Sequence, residues 1–141
     1  MFFEEHPLGF EPVKRVMADS PMRFSWTDTQ KRLEGAASDD YFGKTMPAPT
    51  MPTITLKVHA WPVGWGNRPY RHSVNTVYEV MQGEGRSVMG DRTFGWSFGD
   101  TLAVPAWTRV EHRAMSDAVL FSMSDEQLMR WTRYHRFEAL S

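Results

Sequence analysis

The sequence predicts an all-β barrel or sandwich with short helices at its ends. Three observations carry this. From Thr53 onward hydrophobicity alternates with a period of two, the spacing at which a strand aims alternate side chains at one face. Glycine-rich turn signals cut the chain into about eight short segments, spaced roughly 8 to 12 residues apart as in all-β domains. Helical signals are confined to the stretches before Gly35 and after Ser124.

Each element follows in order. Residues 1–20 read as an irregular arm carrying Pro7 and Pro12. Residues 21–52 read as a short helix and a proline-rich connection. Thr27 is the expected helix cap, with Gln30 as its reciprocal partner and Gly35 beyond the end. "GKTMPAPTMP" holds three prolines, which exclude a helix or a central strand and predict an extended connection. Residues 53–123 form the expected barrel. In "TITLKVHA", Ile54, Leu56, Val58 and Ala60 are assigned to the core face and Lys57 and His59 to the other. "WPVGWGNRP" is a loop and "YRHSVNTVYEVMQ" a strand or a bent pair of strands. "GEG" and two "GD" dipeptides turn the strands that follow. In "TRVEHRA" the charged set Arg109, Glu111 and Arg113 faces water, which turns Val110 and His112 inward. "AVLFSM" is a buried strand, and residues 124–141 are a helix capped by Ser124, followed by a tail.

Composition excludes several classes of function. The 141 residues suit one domain. A net charge of -1 offers no basic excess for nucleic acid. No apolar run approaches the roughly 20 residues that span a bilayer, so no membrane partner is expected. The start, "MFFEEHPLGFEPVKR", lacks the charged-then-apolar order of a signal peptide. There are no cysteines for disulfides or thiolate chemistry. A cytoplasmic protein is therefore expected. "GEGRSVMG" lacks the lysine and following helix of a phosphate loop, and no nucleophile elbow occurs. Six tryptophans and nine phenylalanines can fill a barrel, line a pocket or cover a subunit contact.

Two glycine frames carry a resemblance. Gly66, five residues, His72 and a closing Gly83 make the first; Gly99, five residues and Pro105 make the second. Together they resemble the paired motifs of a cupin, a jelly-roll barrel. "TVYEVMQGEGRS", "FGWSFGDTLAVPAW" and "AVLFSMSDEQLM" are similar to the C-terminal cupin of gentisate 1,2-dioxygenases and the related hydroxynaphthoate and salicylate dioxygenases. "FSWTDTQKRLEG" and "PTMPTITL" resemble the segment leading into that cupin. The likeness covers roughly residues 20–136. It implies Fe(II)-dependent oxidative ring cleavage of aromatic hydroxy acids. In that family three histidines of the N-terminal cupin hold the iron, and this chain resembles the other half.

The ligand positions that the resemblance implies fall on Tyr70, His72, Thr76 and Val110, and only His72 keeps its residue type. Three readings stay open. A rebuilt Fe(II) site would use His72, His112 and Tyr70, since His112 faces the same side of its strand as Val110. A closed, metal-free polar cluster would satisfy the same residues internally. A metal-free pocket for a small aromatic acid would draw on Tyr78, Thr76, Trp65 and Trp107, with Arg71 or Arg109 at its mouth. The expected protein partner is a second copy of the chain or a second cupin chain.

Overall fold

The computed structural model describes residues 23–48 and 51–141. The arm expected over residues 1–20 lies outside them, as do residues 49 and 50 of the proline-rich connection. In chain order the elements are α1 (Trp26–Glu34), β1 (Ser38–Asp39), β2 (Gly43–Ala48), β3 (Thr55–Trp61), β4 (Tyr70–His72), β5 (Thr76–Gln82), β6 (Glu84–Met89), β7 (Arg92–Ser97), β8 (Thr101–Val104), β9 (Val110–Ala114), β10 (Ala118–Ser124), α2 (Glu126–Trp131) and β11 (Phe137–Ala139). The strands form two antiparallel sheets, in the orders β1-β2-β3-β10-β5-β8 and β11-β4-β9-β6-β7. Their inner faces enclose one core around Trp61, Tyr70, Tyr78, Val80, Trp96, Val110 and Leu120. The all-β jelly-roll expectation holds.

Glycines set two of the close approaches that shape this core. Gly83 turns β5 into β6 at φ 85°, a conformation that favours glycine. Gly85 lies so close to Trp96 and the Arg113 carbonyl that a Cβ would stand 2.3 Å from both. The Trp96 ring can lie flat inside the barrel because no side chain stands there.

The structure corrects five local expectations. Ser25, not Thr27, caps α1: its Oγ accepts from the Asp28 backbone N at 3.2 Å. The proline-rich stretch contains β2, a strand paired with both β1 and β3, and Pro47 sits within it opposite Lys57. Asp125, not Ser124, is the N-cap of α2, and its carboxylate is spent on the backbone and side chain of Asn75 instead. The tail after α2 returns as β11 and pairs with β4.

The fifth correction bears on the site. His59 points into the barrel and is 1% exposed, along with Trp61 at 1%. Leu56, Val58 and Ala60 face outward. Alternation assigned the apolar set to the core, but α1 packs on the outer side of β2 and β3 and buries Leu33 there. Both faces of β3 are therefore partly covered, and hydrophobicity no longer tells inside from outside.

Candidate functional site

The barrel interior is a stack of aromatic rings threaded by three histidines. His59 comes from β3, His72 from β4 and His112 from β9. Trp65 stacks on Trp61 at 4.9 Å, and Trp61 stacks on His112 at 5.1 Å. Tyr78 from β5 lies against His59 at 5.4 Å and edge-on to His112 at 5.3 Å. Tyr70, opposite Val110, lies edge-on to His72 at 5.2 Å. Tyr70 and Tyr78 lie close enough for each phenol to act on the other's proton affinity. His72 and His112 thus lie against different members of the tyrosine pair.

The hydrogen bonds assign the protons. The Trp96 indole N–H donates to Ser87 Oγ at 2.9 Å, and an indole can only donate. The Ser87 hydroxyl then gives its own proton to His112 Nδ1, 2.6 Å away. Donation by that hydroxyl puts the proton of neutral His112 on Nε2. That Nε2 is buried and has no hydrogen-bond partner. His59 is resolved the same way. Its Nδ1 donates to the Phe42 carbonyl at 3.3 Å, and its Nε2 accepts the Ser122 hydroxyl at 2.7 Å. Two serines, on β6 and β10, thereby occupy the basic nitrogens of two inward histidines.

Burial keeps these groups neutral. It lowers His59 and His72 to about 4. His112 falls to about 3, through burial first and the neighbouring His59 second. Burial raises Tyr78 to about 12 and pushes Tyr70 well above the ordinary phenol value, with Tyr78 adding to the effect. At the barrel end near His72, Lys57 pairs with Glu126 at 2.6 Å. Burial alone would raise the Glu126 carboxyl, but Lys57 and then Arg130 outweigh it and hold it low.

The candidate residues divide into two sets. Tyr70, His72, Thr76, Tyr78 and His112 are buried and line the interior. Arg71 and Trp107 form a separate outer pair, with the guanidinium 4.8 Å from the indole. Arg71 is also ion-paired with Glu138. Trp107 is 45% exposed and sits at φ 61°, a strained conformation for a bulky residue. Its N–H donates to the His72 carbonyl at 2.6 Å. Arg109 is spent on Glu111, and Trp65 packs on Trp61 rather than facing a ligand. Ser87, Ser122 and Trp96 escaped the sequence reading, which placed His59 on the face away from the core. Ser87 had a signal: strand alternation in "GRSVM" turns it inward with Met89.

A ferrous ion needs about three good donors converging on one point. Among the described residues no group of three or more His, Cys, Asp or Glu side chains is so placed. His59 has both nitrogens in hydrogen bonds, Val110 has no donor and burial holds Tyr70 as a phenol, while the His72 ring has no hydrogen bond among the described residues.

Two sheets, an aromatic interior and glycine-proline turns define this chain as a cupin-type barrel. No protein-family model matches it. It resembles gentisate dioxygenases. Over 75 residues, 53% of its length, it is 45% identical to gentisate 1,2 dioxygenase 1 of Aquipseudomonas alcaligenes, and it spans 22% of that protein. It is 32% identical to 5-aminosalicylate 1,2-dioxygenase of Comamonas sp, over 84% of this chain and 35% of that one. Among solved structures, salicylate 1,2-dioxygenase from Pseudoaminobacter salicylatoxidans in adducts with gentisate superposes with a TM-score of 0.75. That match has 25% identity over 95% of this chain and 42% of the other. A cupin-2 domain protein from Rhodospirillum rubrum shares the fold at a TM-score of 0.54 and 16% identity, over 57% of each chain. The chain thus spans less than half the length of the dioxygenases it matches.

Proposed function

We propose that this chain is a metal-free cupin module of the gentisate-dioxygenase type, with little or no ring-cleaving activity by itself. One observation carries the reading: serine hydroxyls occupy His112 Nδ1 and His59 Nε2, which leaves the proton of His112 on its buried Nε2 and His72 alone among the three inward histidines without a side-chain hydrogen bond among the described residues. A protonated imidazole nitrogen has no lone pair for a metal. The test is to incubate the purified chain anaerobically with Fe(II), remove excess metal, and measure bound iron and O₂ uptake with gentisate or salicylate. The expected result is iron far below one per chain and no uptake. Stoichiometric iron lost on changing His112→Ala, together with substrate-dependent uptake, would restore the Fe(II) site of His72, His112 and Tyr70.

A second reading, self-association, is favoured by the outer face of the six-stranded sheet. Val77 and Met81 on β5 and Met123 on β10 are exposed there, beside half-buried Phe121, Val58 and Leu56. The paired positions Met123↔Val77, Met123↔Leu56 and Phe121↔Val58 join these side chains into one apolar patch, with Glu79 between Val77 and Met81 opposite Phe121. A second copy of the chain is the proposed occupant, since its own matching face would bury the same surface by two-fold symmetry. Light scattering should give a dimer that Met123→Lys converts to monomer. A wild-type monomer at working concentration would refute it. Binding of a small aromatic acid is disfavoured, because Arg71 is paired with Glu138 and Trp107 lies on the outer surface, away from Tyr78 and Thr76.

A further inference from the structure

The outer face of the five-stranded sheet carries two arginines directly opposite one another. Arg86 on β6 and Arg113 on β9 are register partners, so both side chains leave the sheet on the same side. Their outer neighbours in the same row are glycines. Gly95 on β7 pairs with Arg86, and Gly66 bridges to Arg113. The row therefore reads Gly66, Arg113, Arg86, Gly95, with no side chain flanking the arginines within the row and Val88 and Glu111 standing in the next one.

Like charges facing each other across an antiparallel pair oppose folding. A fold usually relieves this with a carboxylate, and here none does so. Neither arginine forms an ion pair or side-chain hydrogen bond among the described residues. Glu111, one pair along on β9, gives its carboxylate to Arg109. Glu84, two residues before Arg86, lies at the rim and pairs in register with Ser97. A recess of about 340 Å³ adjoins the pair, lined by Gly64, Gly66, Arg86, Val88, Glu111 and Arg113 among others. A Cβ built on Gly95 would meet nothing within 4 Å, so the space beside Arg86 is open as well.

The geometry points to a binding site for a small oxyanion, a carboxylate or a phosphate, held between Arg86 and Arg113 on the outside of the barrel. Opposed positions put the two Cβ atoms about 5 Å apart, close enough for both forks to reach one anion. Each guanidinium offers paired donors matched to two oxygens. The site is separate from the barrel interior and independent of whether the interior binds metal.

The test titrates the full chain with inorganic phosphate and, separately, with citrate, at constant ionic strength made up with NaCl. The arginine Nε–H resonances and the melting temperature are followed. The expected result is saturable one-site binding of at least one of the two anions. The Arg86 and Arg113 Nε–H signals should shift together. Binding should weaken at least about tenfold in Arg86→Ser and in Arg113→Ser, a loss of one charge-assisted pair. Response to citrate alone identifies a carboxylate ligand, and response to phosphate alone a phosphate. Gly95→Asp supplies an internal carboxylate, so it should raise the melting temperature without added anion and abolish the anion response. Shifts that chloride reproduces, that fail to saturate, or that persist unchanged in both serine variants would overturn the site.

Discussion

Ser87 decides the state of His112. It is 0% exposed and bridges the Trp96 indole to His112 Nδ1. Ser87→Ala removes the acceptor of one buried donor and the donor of one buried acceptor. The expected cost is about 1–3 kcal/mol, seen as a lower melting temperature. Long-range ¹H–¹⁵N spectra of the wild type should show His112 protonated on Nε2 and His59 on Nδ1. The opposite tautomer at His112 would remove the basis for the metal-free reading. The same histidines set a pH dependence. Burial lowers the folded values of His59 and His72 to about 4 and of His112 to about 3, while the unfolded value is near 6.5. Between these limits the unfolded chain binds more protons, so stability rises with pH there. The stabilising neutral state is complete above about pH 6.5 and is lost as pH falls towards 4. Each tenfold difference in proton affinity is worth about 1.4 kcal/mol. Urea midpoints recorded across that window should fall steeply on the acid side; a flat profile would mean that these rings are not held neutral.

At the scale of elements, helix ends and strand faces behave differently. The α1 cap is local chemistry, and it tests cleanly. Ser25→Ala should cost about 1 kcal/mol, whereas Thr27→Ala, which removes a side chain exposed inside the helix, should be close to neutral. Thermal melts of the two variants separate the assignments. Strand faces depend on what covers them. β5 and β9 alternate as expected, with buried Thr76, Tyr78 and Val80 on one and Val110, His112 and Ala114 on the other. β3 does not, because α1 lies on its outer side. β2 accommodates Pro47 because that residue is exposed and the strand lies near the end of its sheet, where a missing N–H is tolerated.

For the whole molecule, the two sheets close over rings rather than over a ligand. Trp61, Tyr70, Leu120 and His59 are the largest fully buried side chains, so the centre is occupied by the chain itself. A ligand bound only by the native state, at a hundred times its Kd, adds about 2.7 kcal/mol. For a domain of this size that is several degrees in melting temperature. Anaerobic Fe(II) should leave the melting temperature of this chain unchanged, and a clear upward shift would place iron in the native barrel. This chain spans 22% and 35% of the two dioxygenases it matches, and the reactions their names describe are those of the longer proteins.

By itself the sequence determined what local rules can determine: an all-β barrel, its glycine and GD turns, and the inward turn of Val110 and His112. Those features depend on period-two alternation and on residue identity, both local properties. Tertiary structure alone decided which way His59 points, which serine meets which histidine, and that Arg86 stands opposite Arg113. Ser87 and His112 are far apart in the chain, and so are Ser122 and His59. Only strand register brings a hydroxyl to a ring nitrogen and so sets which nitrogen keeps its lone pair.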